Sequence, residues 1–307
     1  MVVFLPTFTV HVSRDGVFMV RKIALPTIIL VVGVIAQSKF NLIGNHLAFH
    51  IITGALMAWI VFSLLLHVRA SYHHRDIPEF VISQLYNTQP CYPLTSPNEQ
   101  RSACAEALFL IAETGRYSTS ISYVNSLEQL DLNNLEDVKE ARYLMSTSWD
   151  IDNDRKLRKV IRTLINNSIA SSHSSLDAVA AKDRYIYFLQ QQGLTFQNVD
   201  ACPMTGFDLV RASWLTRIGF SIGYIDEQEA RAFLNTIGEL IQQQFSSWEQ
   251  LTASYLIMYL EWNGAWKGAL GVLRTGFVAS HRFQGAKLLL EDNDSPFRTL
   301  AFRVCDA

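Results

Sequence analysis

The sequence predicts a mainly α-helical protein in which an N-terminal transmembrane helical hairpin is followed by a compact multi-helix domain. Three observations carry that expectation. Residues 47–66, LAFHIITGALMAWIVFSLLL, run without Asp, Glu, Lys or Arg, and a helix of about twenty residues spans about 30 Å of hydrocarbon. Further along, apolar residues recur at spacings of three and four behind N-terminal capping signals. No segment shows a period-two alternation of comparable strength.

Composition narrows the function. The 307 residues are 49% hydrophobic and 18% charged, with a formal net charge of -2, which excludes a disordered or fibrous chain. Lys and Arg total 26 against 28 Asp and Glu, so there is no global positive field to hold nucleic acid by counterion release. The cysteines, Cys91, Cys104, Cys202 and Cys305, form no C-x-x-C pair. They are read as free thiols, without a zinc or redox site.

The N-terminal elements are a segment 1–22 with no assigned role and a hairpin at 23–68. Within residues 47–66 a buried core helix fits less well than a span, because core helices are usually shorter and keep a polar face. His50 lies near one end, within reach of the interface. The upstream run 23–36, IALPTIILVVGVIA, is short and borrows residues 37–43, with Lys39 snorkelling, to complete a span. A cleaved signal peptide is disfavoured because Arg21 and Lys22 sit far from the start and no small-x-small site follows. Arg14, Arg21 and Lys22 precede the hairpin and Arg69 and Arg75 follow it, so both ends are expected in the cytoplasm, at the inner (cytoplasmic) membrane.

Residues 69–100 read as a linker rich in proline (Pro78, Pro90, Pro93, Pro97), and residues 101–307 as a helical soluble domain. Ser102–Gly115 is a helix ended by glycine, and a charged helix follows at Asn134–Ser146. Asp150, Asp152 and Asp154 suggest a calcium loop, but Arg155 stands where that loop needs Gly and Ile161 where it needs Glu. Asp152 is instead read as the N-cap of a helix burying Leu157, Val160, Ile161, Leu164 and Ile165. Its basic face, Arg155, Lys156, Arg158, Lys159 and Arg162, is expected in solvent or on anionic lipid. Asp226 with Glu229, and Ser246 with Glu249, form two capping boxes. The first precedes a stripe of Ala230, Phe233, Leu234, Ile237, Leu240 and Ile241; the second precedes Leu251, Tyr255, Leu256, Tyr259 and Trp262. These two helices are expected to pack as an antiparallel hairpin. Gly219 and Gly223 mark a close contact or turn before it. The acidic stretch at Glu291, Asp292 and Asp294 reads as a turn.

No nucleophile–base pair, metal-ligand cluster or glycine-rich phosphate turn is present, so no cofactor and no metal are expected. The densest polar group is Asp208, Arg211 and Arg217 on one helix beside Trp214, with Asp208 and Arg211 sharing a face. A structural ion pair and an anion or peptide pocket are both open readings of it. Tyr224 and Trp248 join Trp214 as candidate surface aromatics.

At these residues a resemblance emerges. The runs FDLVRASWLTRIGFSIGYIDEQEA (207–230) and FSSWEQLTASYL (245–256) resemble the bacterial domain-of-unknown-function family 1266. The family pattern falls on Asp208, Arg211, Arg217, Gly223, Tyr224, Ile225, Glu229, Ala230, Phe245, Ser246, Ser247 and Trp248. Residues 148–151 resemble its earlier Trp-x-Ile element, and the likeness covers about 141–264. Phe207 replaces the usual Trp, and Phe220 stands where Tyr is common. The resemblance implies a helical bacterial domain with no assigned activity.

The functional expectation is a membrane-anchored binding or scaffold module with a protein partner. Membrane lipid would hold residues 23–68. One alternative is an enzyme using Asp208 as base and Arg211 or Arg217 as anion binders. The other is a channel or transport accessory whose hairpin associates near Gly54 and Ala55.

Overall fold

The computed structural model describes residues 82–113, 123–170, 176–197, 199, 202–262 and 282–303, together with Gly54. The chain divides into two compact units, Met1–Asp76 and Ile77–Ala307, and the fold described here is that of the second. The segment 1–22, the hairpin 23–68 (Gly54 apart) and His73-His74 lie outside the described residues. Among the described residues no helix is long and apolar enough to cross a membrane.

A 3-10 turn at Ile82–Leu85 precedes α1, Pro97–Glu113; then come α2, Leu135–Trp149, α3, Asp154–Ala170, and α4, Leu176–Gln191. The chain continues through α5, Gly206–Ser221, α6, Glu227–Gln244, and α7, Trp248–Trp262. It ends with α8 at 282–291 and the short α9, Pro296–Thr299. The one β interaction among the described residues is an isolated antiparallel bridge between Pro93 and Ser126.

The start of α1 lies inside the stretch read as linker. Pro97 occupies the first helical position, where its missing N–H costs nothing. Ser96 Oγ accepts from Glu99 N at 3.0 Å, and Glu99 returns a carboxylate oxygen to Ser96 N at 3.4 Å, a capping box hidden behind the proline. Asn134 caps α2 through its side chain. The cap of α3 is Asn153, whose Oδ1 accepts from Lys156 N at 2.9 Å; Asp152 instead pairs with Lys156. At α7 the register also shifts by one. Ser247 Oγ accepts from Gln250 N, and Gln250 Oε1 reaches back to Ser246 N, while Glu249 accepts from Gln197 N. Asp226 caps α6 as the spacing predicts.

One helix organises the core. Helix α5 is apolar or small nearly all round, and such a helix can only be stable inside; all its residues except Asp208, Arg211 and Phe220 are buried. It packs against α1, α3, α6 and α7, while α1 also packs along α6 and α4 against α7. The expected α6–α7 hairpin is absent, since these two helices share no extensive contact. The stripe Ala230, Leu234, Ile237 and Ile241 is buried on a helix that docks on α1 and α5. Helix α7 is instead turned onto α5 after an extended Phe245. Trp262, placed on the buried face by its spacing, is 65% exposed.

Two glycines permit this packing. A Cβ on Gly219 would lie 2.3 Å from Leu157 Cδ2, and one on Gly238 would lie 2.0 Å from the Asn98 carbonyl oxygen, so the Leu157 side chain of α3 seats against the bare backbone of α5, while α6 meets α1 at backbone range. Gly223 closes α5 at φ 76, a conformation that glycine adopts without strain.

Candidate functional site

The three charged residues of the predicted cluster part company in the fold. Arg217 points into the core, where Nη1 lies 3.0 Å from Glu106 Oε2 and both side chains are 0% exposed. That contact is an ion pair by distance, without hydrogen-bond alignment at Nη1. Its Nε donates to the Ser126 carbonyl at 3.0 Å and its Nη2 to that of Tyr123. Glu106 also accepts from Gln129 Nε2 and, at 3.3 Å, from the Ser213 hydroxyl. Burial pushes the Glu106 carboxyl above the usual range, while Arg217 and Ser213 pull it back. Arg217 therefore fastens α5 to α1 and to the loop at 123–126. Glu106 stands in an alanine- and leucine-rich helix that also carries Glu99, Arg101 and Glu113, so nothing local singles it out, and its partner lies far along the chain.

Asp208 and Arg211 form the other half. They pair with each other one turn apart, with side chains 14% and 17% exposed. The Arg211 guanidinium lies 4.1 Å from the Phe207 ring centroid and 5.9 Å from that of Trp149, within cation–π range. Its Nε is buried with no hydrogen-bond partner among the described residues. Beside it, the exposed Trp262 packs 5.7 Å from Phe207. Arg282 completes this arginine–aromatic region, 4.4 Å from the Tyr259 centroid and donating to the Tyr255 hydroxyl. Phe207 lies one turn before Arg211 on the same helix, a spacing that could have shown the contact, whereas Trp149, Trp262 and Arg282 come from three other segments that no local pattern joins.

The candidate surface aromatics are corrected by burial. Trp214 is buried between Trp149 and Phe109, with centroids 5.6 and 5.1 Å away. Trp248 is buried in parallel stacking on Phe297 at 4.6 Å, and its Nε1 donates to the Leu300 carbonyl at 3.0 Å. Tyr224 is half-buried under Arg142, 5.8 Å from its centroid. Arg142 also donates to the Ile222 carbonyl at the end of α5. Glu229, expected to complete a capping box, is held by Arg158 at 2.8 Å.

The reactive groups are subdued. Burial pushes the thiols of Cys104 and Cys202 up to about 12, so both stay protonated at neutral pH; Cys91 is exposed and free. Asp150 and Asp152 pair with Lys156, and Asp154 with Arg158, so the aspartates of the discarded calcium loop are occupied by cations. Among the described residues no group of three or more His, Cys, Asp or Glu could hold a metal.

These features define an all-helical domain built around one buried helix, in which most of the pattern residues that suggest a family serve to cap, pair or pack. The family model for a protein of unknown function, DUF1266, matches residues 144–302, just over half of the chain. The chain belongs to that family. The match runs beyond the residues where the resemblance was read and takes in α8 and α9. No curated protein and no solved structure matches the chain.

Proposed function

We propose that the protein is a bacterial membrane-anchored helical binding module, held at the inner membrane by its N-terminal hairpin, with the helical domain in the cytoplasm facing a protein partner. The observation that carries the binding role is the Arg211 region. The partly exposed Arg211 guanidinium lies over Phe207, and Phe207 in turn packs against the exposed Trp262. Trp, Tyr and Arg are the residues that most often anchor protein interfaces. The membrane role rests on the uncharged run 47–66 and the flanking Lys and Arg. A reaction centre using Asp208 and Arg217 together is disfavoured, because Arg217 is sealed against Glu106 and the Asp208 carboxylate is held by Arg211.

A photo-crosslinking residue at Trp262, in membranes from expressing cells, tests the binding role. A discrete adduct that is weakened by Arg211→Ala and not formed from the equally exposed Tyr187 supports it. Identical adducts from both positions, or none from Trp262, would remove it. Resistance of the chain to alkaline extraction tests the anchor separately.

A further inference from the structure

Helix α3 carries charges that the fold does not use. Its buried side, Leu157, Ile161, Leu164 and Ile165, faces the core. Of its cations, Lys156 pairs with Asp150 and Asp152 at 3.2 and 3.0 Å, and Arg158 pairs with Asp154 and Glu229. Arg155, Lys159 and Arg162 are exposed and have no ion pair or side-chain hydrogen bond among the described residues. They follow one another at spacings of four and three, so they form a single stripe, which Asn166 and Ile169 continue. With Asp154, Arg158, Thr163 and Asn166 they border a shallow open groove of about 600 Å³ along the outer side of α3. The groove's own carboxylate, Asp154, is engaged by Arg158. At the far end of the stripe Ile169 is 53% exposed.

We propose that this stripe docks α3 on an anionic membrane surface, with lipid phosphates in the groove and Ile169 entering the interfacial layer. The inference rests on the anchored reading above. Charge complementarity carries it. Three unneutralised cations lie along one helix face of a chain whose net charge is -2, so the attraction is local to that face. Two of the three are guanidinium groups, whose planar donors match phosphate oxygens. An exposed isoleucine in line with the cations suits a surface that is anionic outside and apolar beneath. Each basic residue near such a surface strengthens attachment by roughly fivefold.

The test uses the full chain, reconstituted into vesicles of phosphatidylcholine alone or mixed with phosphatidylglycerol. An environment-sensitive dye is placed on Asn166→Cys, with Cys91 and Cys305 changed to serine. The dye should report an apolar environment in the anionic vesicles only. Arg155→Gln/Lys159→Gln/Arg162→Gln should lower the docked-to-undocked ratio by roughly a hundredfold. Equal signals in the two vesicle types, or an unaffected triple variant, would overturn the proposal. So would loss of the signal to inorganic phosphate but not to chloride of matched ionic strength, since that marks a discrete phosphate pocket. Flotation with neutral vesicles reads the anchor independently. A chain that fails to float there but docks on anionic vesicles would discard the anchor and keep the stripe; floating without a dye response would do the reverse.

Discussion

Two arginine–carboxylate pairs in this domain are built from the same chemistry and behave in opposite ways. Glu106 and Arg217 meet between α1 and α5 with no solvent exposure. Asp154 and Arg158 meet on one turn of α3, at the surface. Burial raises the Glu106 carboxyl in spite of Arg217, whereas the hydrogen bond from Arg158 holds that of Asp154 below its ordinary value. Depth decides the sign. Where water is excluded, the cost of desolvating the charge exceeds what the partner returns; where water remains, the partner's attraction is the larger effect. The buried pair therefore fixes which helices meet, while the exposed one adds little to stability.

Breaking the buried pair on one side should give the largest effect. Arg217→Met leaves Glu106 without its cation, though still hydrogen-bonded by Gln129 and Ser213, and takes the Arg217 donors from the carbonyls of Ser126 and Tyr123; it should cost about 3–5 kcal/mol in urea unfolding. Adding Glu106→Leu should recover much of that loss, because an apolar pair replaces an uncompensated charge; no recovery would mean that the pair acts through geometry alone. Gly238→Ala should rank next at about 1–3 kcal/mol, since the new methyl meets the Asn98 carbonyl, a backbone atom that cannot swing aside.

The opposite pKa directions sharpen the comparison. A raised native carboxyl binds its proton more tightly in the folded chain. The stabilisation from Glu106 is thus complete below the unfolded carboxylate range and is lost as pH rises through the native value. Asp154 behaves inversely: its contribution is present above the ordinary aspartate range and is lost as pH falls through the depressed value. Stability of the native chain relative to Glu106→Gln should decline with rising pH, and relative to Asp154→Asn should increase. Slopes of the same sign would break the contrast. Smaller still, Asp226→Ala should remove about 1 kcal/mol by uncapping α6. The triple substitution on the α3 stripe should alter melting by less than about 0.5 kcal/mol, which leaves its docking test free of folding effects.

The sequence was most informative where a helix has two different faces. The stripe of α6 and the apolar side of α3 lie where the spacing puts them, because half of each helix meets water and the periodicity records that boundary. Helices α5 and α7 are buried nearly all round, so period alone could not show which neighbours they touch. The capping signals were present, but Ser247 and Asn153 serve where Ser246 and Asp152 were expected. A choice among adjacent cap formers depends on where the helix axis is pinned by packing. The Ser96–Glu99 box was also written in the chain and was obscured by the prolines around it.

The candidate site was half legible. Asp208 and Arg211 pair because spacing within one helix forces them together. Arg217 leaves them because its side of α5 faces α1, and nothing local in the sequence states that α1 supplies Glu106. The helical class, the Asp226 cap, the turn at Gly223 and the family followed from the amino-acid order, since each depends on residues within a few positions of one another or on their fixed spacing. The absence of an α6–α7 hairpin, the burial of Trp214 and Trp248 and the company kept by Arg211 were decided by tertiary structure. Each depends on surfaces brought together from distant segments, where the gain from burying apolar area selects the partner.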